Sequence, residues 1–345
     1  MARDGTGQYN LPAGPVVNAT AIDPNDENST RADIATALTG SLARDGQGGM
    51  TGPLSMGGNA ILNGGAGTFT SVTGTAAIFT SMNGGALAGF RNIIINGNPT
   101  VNQRAYVSGT NTSAANQFTL DRWFVLTSGQ AVSWTDSAGI RTVTAPAGGM
   151  ATVIEGGGML GGVHTLNWTG TATALVNGNA VAKGAQVTLT GGTNTTVRMS
   201  NGTWAQLQLE PGTQATPFER RPIGAELMLC QRYLFRMDIP STASPLNEAY
   251  LPGMIEGSGA NYSVAFPVQM RASPAFATSG ASGFQYHVSG VANGVASSIA
   301  AQGIRNHGGK IVIGCTFSGT VGLACQLCPI ANTATFLQFD AELTA

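Results

Sequence analysis

The chain is poor in charge. Asp, Glu, Lys and Arg make up 10% of its 345 residues, against about 25% in a typical soluble domain. Lys183 and Lys310 are its lysines; the other fourteen of the sixteen basic residues are arginines, scattered from end to end, and the net charge is −1. A partner carrying phosphates needs clustered cations, so this scatter excludes nucleic acid as an expected partner. The start, "MARDGTGQYN", lacks the apolar core of a secretory signal, so synthesis in a cytoplasm is expected. A long apolar run is also lacking. Ile311 to Ala331 comes nearest, but Thr316, Ser318, Thr320 and Gln326 interrupt it, and two strands around a Ser-Gly-Thr turn explain it better than a membrane span.

Metal-site spacing is scarce too. Of four cysteines (Cys230, Cys315, Cys325, Cys328), the last two form a single C-x-x-C. A structural zinc site needs two more ligands, and neither a second C-x-x-C nor an H-x-x-x-H is present. Small buried apolar thiols are therefore expected, with no metal and no cofactor. Catalytic pairs are equally thin. Glycoside hydrolysis needs two carboxylates flanking one bond. Asp121, Asp136, Glu155, Glu210, Asp238, Glu248, Glu256, Asp340 and Glu342 are spread along the β-rich regions without forming a tight pair. Asp340 and Glu342 share a strand face and are expected to pair with arginine. His164, His287 and His307 accompany no nucleophile motif. The G-x-G-x-x-G match at Gly156–Gly161 leads into no helix, so it has no N-terminus with which to hold a phosphate. No enzyme is expected.

Glycine, by contrast, is abundant, with 49 residues, as in a chain of short strands joined by turns. Low charge over 345 residues suggests that much surface is buried against copies of itself or within an assembly. Residues 1–45 read as an extended segment followed by a helix, "STRADIATALTGSLARDG", capped at Ser29 or Thr30 with Asp33 in capping-box spacing. Its apolar stripe, Ile34, Leu38 and Leu42, is narrow, and a lone helix of this length needs something to dock on. A threefold association of copies is one solution and a socket in a larger particle another. Residues 46–89 carry no charge and contain a ten-residue repeat, with Phe69 and Phe79 in register. This reads as a short interlocked shaft stabilised by stacking.

Residues 90–219 show short β-branched or aromatic runs at roughly ten-residue spacing, the pattern of an antiparallel β-sandwich. "NIIING" reads as a strand entering an Asn96–Gly97 turn, with Asn102, Gln103 and Arg104 fixing the segment by hydrogen bonds. "WAQLQLE" reads as an alternating strand with Trp204, Leu207 and Leu209 apolar. All four tryptophans fall here, as core. Residues 220–345 open on a helix begun by Pro222, with Ile223, Leu227, Cys230 and Leu234 as its apolar face. Strands then resume to form a second β domain.

Four segments carry a resemblance: "MARDGTGQYNLPAGPVV" with the helix after it, "FRNIIINGNPTVNQRAYVSG…FTLDRWFV", "WAQLQLEPGTQATPFERRPIGAELMLCQRY", and "FPVQMRASPAF" with the ending "FDAEL". Together they resemble the tail fibre proteins of tailed bacteriophages, and they span most of the chain. The resemblance implies a mainly β, elongated homotrimer. Its N-terminal segment, through Ile34, Leu38 and Leu42, would attach to other tail or portal-proximal proteins of the virion. A jelly-roll-like sandwich and a C-terminal β domain would meet a host surface polysaccharide or outer-membrane protein. Sugar binding needs an aromatic platform and planar polar groups; Tyr262, Tyr286, His287, Arg305, Asn306 and His307 are the candidates, with "IRNHGG" expected as an exposed loop. Two other roles fit the same resemblance: an adaptor or head-decoration fibre, and a polysaccharide depolymerase.

Overall fold

A computed structural model describes residues 24–40, 89–239, 251–290, 292–315, 321–331 and 333–344. Strand accounts for 46% of the interpretable residues and helix for 10%, so the protein is mainly β. No helix among the described residues is long and apolar enough to cross a membrane. The repeat at residues 46–88 lies outside the described residues.

Helix α1 spans Pro24–Gly40. Proline's fixed φ suits the first helical position, so the helix begins upstream of the expected caps. Ser29, Thr30 and Asp33 therefore lie inside the helix and not at its start. Ile34 is 47% exposed; Leu38 is helical, but its side chain, like all of Leu42, lies outside the described residues.

Ten strands follow in the first β region. They are β1 (Phe124–Val125), β2 (Ser133–Ser137), β3 (Ile140–Ala145), β4 (Met150–Ile154), β5 (Gly162–Thr169), β6 (Ala174–Val176), β7 (Asn179–Val181), β8 (Ala185–Leu189), β9 (Thr195–Met199) and β10 (Gly202–Pro211). They form two five-stranded antiparallel sheets, ordered β1-β4-β9-β6-β7 and β2-β3-β10-β5-β8. Both sheets contribute to one apolar core. Trp123, Trp168 and Trp204 sit in it with Met150, Met199 and Leu209, while Trp134 packs half-buried at its margin beside Tyr106.

Strand β10 departs from clean alternation. Trp204 and Leu207 are three residues apart, yet both are fully buried. An inserted residue reconciles this: the register shifts between Ala205 and Gln208, and Gln206 takes φ +52°, a β-bulge. Strand β10 pairs with β3 through Gly202, Thr203 and Trp204, and with β5 at Ala205 and, past the bulge, from Gln208 on.

The bulge also explains why "NIIING" is not a strand. The segment is an irregular stretch laid along β10 and fixed by asparagine side chains. Asn92 donates through Nδ2 to the Leu207 carbonyl at 3.0 Å and accepts through Oδ1 from the Leu209 amide at 3.1 Å. Asn96 is buried with φ +57°. Its Nδ2 donates to the carbonyls of Val101 and Asp121, both at 2.9 Å, and its Oδ1 accepts from the Val101 amide. Gly97 accepts the Leu207 amide at 2.9 Å, and a Cβ there would stand 2.2 Å from the Leu207 carbonyl oxygen, so only glycine permits the approach.

Helix α2 spans Ile223–Gln231 after Pro222. Its expected apolar face is corrected. Leu234 opens the next strand, Ile223 is 63% and Met228 56% exposed, and Cys230 alone on the helix is fully buried. The second β region then has β11 (Leu234–Ile239), β12 (Leu251–Glu256), β13 (Gly259–Ala265), β14 (Ala275–Thr278), β15 (Phe284–Val288), β16 (Ala292–Val295), β17 (Ser298–Arg305), β18 (Gly308–Gly314), β19 (Ala324–Pro329) and β20 (Thr335–Asp340). A three-stranded sheet, β11-β20-β14, and a seven-stranded one, β16-β15-β19-β12-β13-β18-β17, share a core around Tyr262, Phe284, Ile311 and Phe339.

Ion pairs stitch the two regions. Arg122 and Glu342 are each 2% exposed and pair directly. Arg104 reaches Asp340 at 2.8 Å, and Arg232 pairs with Glu155 at 2.9 Å. Asp340 and Glu342 do meet arginine as expected, although Glu342 lies beyond the end of β20.

Candidate functional site

The seven-stranded sheet has two unlike faces. Along β13, Ala260, Tyr262 and Val264 are buried, while Asn261 is half-buried and Ser263 exposed. Along β15, Phe284, Tyr286 and Val288 are buried, and Gln285 and His287 are half-buried. Side chains alternate between the faces of a strand, so the buried set meets the core and the other set faces outward.

Two of the expected binding residues are therefore core residues. Tyr262 is 0% and Tyr286 2% exposed, and a buried ring has no face to offer a sugar. Each lies across a glycine of the neighbouring strand. A Cβ on Gly253 would stand 2.4 Å from the Tyr262 ring, and one on Gly294 would stand 2.4 Å from the Tyr286 ring. Burial pushes the Tyr262 hydroxyl far up from its ordinary value, and it takes a weak bond from the Cys325 thiol at 3.6 Å.

The remaining expected residues separate into two places. Arg305, Asn306 and His307 come together at the tight turn joining β17 to β18, where Arg305 opposes Gly308. This is a pinned hairpin rather than a loose loop: the Asn306 carbonyl accepts the Met270 amide at 2.7 Å and the His307 carbonyl accepts the Phe266 amide at 3.2 Å. Arg305 and His307 are exposed. His287 is elsewhere. It lies on β15, five strand steps from β17, or about 24 Å at the usual strand spacing.

Around His287 the outward face carries residues that the sequence reading passed over. His287 stands directly opposite Asn293 on β16 and Gln326 on β19, and Gln326 opposes Pro252 on β12. These four form one cross-strand row. The His287 Nδ1 and Asn293 Oδ1 share a hydrogen bond. In a neutral ring an acceptor on Asn293 requires Nδ1–H, which leaves the His287 Nε2 an acceptor and the Asn293 Nδ2 a donor. Gln326 is exposed, and its amide makes no hydrogen bond among the described residues. Next to this row lies Met254, 50% exposed, opposite Ala324 and Asn261. Among the described residues, the charged ones on this face are Glu256, which accepts from Asn261, Lys310, opposite Ser263 and Gln302, and Arg305, opposite Gly308.

The C-x-x-C motif does not gather its thiols. Three positions apart on β19, Cys325 and Cys328 point to opposite faces, Cys325 into the core. Burial pushes Cys328 up to about 11 and raises Cys325 and Cys315, so all three stand as thiols near neutral pH, the unreactive form. No group of three potential metal-ligating residues occurs among the described residues.

A cavity of about 480 Å³ lies where the two β regions join. Phe90, Ile93, Ile95, Val153, Ile154 and Leu229 give it apolar walls, and Arg122, Arg221 and Arg232 line it. Each arginine is already held by carboxylates: Arg122 by Glu342, Arg221 by Glu219 and Glu226, and Arg232 by Glu155. Glu155 also accepts from the Tyr233 hydroxyl at 2.9 Å. The lining brings a single carboxylate, where cleavage of a glycosidic bond uses two.

No family model matches the chain, and no curated protein matches it.

Proposed function

We propose that the protein is a bacteriophage tail fibre: a homotrimer that attaches to the virion through its N-terminal segment and binds a polysaccharide or outer-membrane protein of the host with its C-terminal β region. It performs no covalent chemistry and is assembled in the bacterial cytoplasm. The observation that carries this reading is the open face of the seven-stranded sheet, wide, nearly uncharged and rich in amides. Two further features support it. The resemblance segments around Asn92 and around Leu207, some 115 residues apart in sequence, are bonded together as the opening and closing of one β module. Helix α1 leaves Ile34 exposed, as a docking helix would.

Three binding faces per trimer, and several fibres per particle, raise apparent affinity by about 10² to 10⁴ without a new contact, so a shallow face suffices. The test is labelling of bacterial cells from a broad strain panel with fluorescently tagged full-length protein, followed by assay of the surface polysaccharide. Labelling of a strain subset with intact polysaccharide is expected. Released oligosaccharide would make the protein a depolymerase. Absence of labelling on every strain would favour an adaptor or head-decoration role.

A further inference from the structure

We infer that the outward face of the seven-stranded sheet binds an uncharged polysaccharide, and that the strand of sugar lies along the row Asn293–His287–Gln326–Pro252. The inference rests on the receptor-binding reading above and assigns its ligand class.

The row crosses four adjacent strands in direct register, a span of about 14 Å. It offers alternating hydrogen-bonding character. The Asn293 Nδ2 donates, the His287 Nε2 accepts, and the Gln326 amide does both. A sugar hydroxyl, itself donor and acceptor, matches such a row, and vicinal hydroxyls match an amide in two places at once. Pro252 is exposed, as is Met254 in the row beside it, and these give the apolar C–H faces of a sugar ring something to cover.

Charge decides the class. A carboxylate or sulfate on the ligand calls for a guanidinium or ammonium with free donors. The four row residues carry none. Lys310 lies two strands beyond Pro252, opposite Ser263 and Gln302, and Arg305 stands at the far edge of the face on β17. The groups in the row are also pre-positioned. The Asn293–His287 hydrogen bond orients both side chains, and the strand ladder fixes their spacing, which lowers the ordering cost of binding.

The test uses the purified full-length protein and its triple variant Asn293→Ala, His287→Ala, Gln326→Ala. Affinity electrophoresis is run against neutral polymers (dextran, mannan, galactomannan) and acidic ones (alginate, polygalacturonate, heparin). Retention by at least one neutral polymer is expected. The triple variant should weaken it tenfold or more, about 1.4 kcal/mol, and Arg305→Ala should leave it unchanged. Because no charge is involved, retention should also persist to about 0.5 M salt, where screening is strong. Circular dichroism of the triple variant should match the parent. Retention by acidic polymers alone, retention that the triple variant keeps, or no retention by any neutral polymer each overturns the inference. A second copy seated on the face would be seen as a Gln326→Cys thiol inaccessible to maleimide in the assembled protein, and that too overturns it. Cell labelling separates the two levels: strains labelled equally by parent and triple variant would sink the ligand assignment and leave the fibre reading standing, whereas no labelling at all removes the fibre reading itself.

Discussion

The two β regions use the same polar residue types in opposite ways. In the first, a set of amides and carboxylates along β10 and the segment beside it is turned inward and engaged. Asn92, Asn96, Gln208, Glu210 and Glu219 are all buried, and each holds backbone or a partner side chain. In the second, Gln326, Asn293 and Gln302 are exposed on a sheet face. The first region uses amides as mortar where a bulged strand and an irregular segment leave backbone groups without a ladder. In the second, long ladders satisfy the backbone by themselves, and the Gln326 amide is left facing outward. A side chain's chemistry does not tell which role it has; the regularity of the backbone beside it does.

That contrast can be attacked first at the seam. Glu342→Ala removes the partner of a buried Arg122 and should cost about 3–5 kcal/mol, read as a lower guanidinium midpoint. All four tryptophans lie between residues 123 and 204, so intrinsic fluorescence reports the first region and circular dichroism both. Separation of the two curves in the variant is expected, because the ion pair joins the regions. The double variant Arg122→Met, Glu342→Leu should recover much of the loss, since an apolar pair of similar size removes the stranded charge.

Asn96→Ala comes next, at about 3 kcal/mol. It strands the Val101 and Asp121 carbonyls and places alanine at φ +57°, which asparagine tolerates better. An unchanged melting temperature would show that the mortar is dispensable.

Then comes pH. Burial first, opposed by the hydrogen bonds of Gln103 and the charge of Arg104 and reinforced by Glu342, raises Asp121 to about 6. The folded state therefore holds a proton that the unfolded chain releases near pH 4. Stability from this group is fully present below about pH 4, falls as pH rises to about 6, and is flat above, by on the order of 2–3 kcal/mol. Asp121→Asn should flatten the profile over that window; an identical slope in the variant would contradict it.

Much of this was legible in the sequence where backbone and pattern agree. Strands β4, β5, β9, β13, β15 and β18 alternate or run apolar, and that pattern announces them. Strand β7 has three residues and no local pattern, β3 mixes apolar and polar positions without clean alternation, and "IRNHGG", expected as a loop, holds Arg305 at the end of β17. The bulge at Gln206 breaks the alternation expected of "WAQLQLE", at the three-residue step from Trp204 to Leu207. For the site, tyrosine was weighted as a sugar platform, but the glycines opposite Tyr262 and Tyr286, which make room for the rings inside, are neighbours only in the folded sheet. Alternation through "ACQLC" sets Gln326 on the face opposite Cys325 and Leu327, but nothing local shows which of those faces is outward. Cross-strand rows depend on register, and no local pattern supplies register between strands some forty residues apart.

The smallest effect tests the comparison most directly. Gln208 is 1% exposed; its Nε2 donates to Glu210 at 2.8 Å and its Oε1 accepts the Glu219 amide at 2.7 Å. Gln208→Ala leaves a carboxylate and a backbone amide short of partners and should cost about 2 kcal/mol. Gln326→Ala removes the same side chain from a strand whose ladder is complete and whose amide faces water, and should change stability by less than about 0.5 kcal/mol. The two are compared by denaturant unfolding followed by circular dichroism. If Gln326→Ala proves as costly as Gln208→Ala, then the outer face is covered in the assembled protein and its amides are mortar as well. If it is silent in stability and also weakens retention on a neutral polysaccharide, the same residue type has been shown to build in one region and to bind in the other.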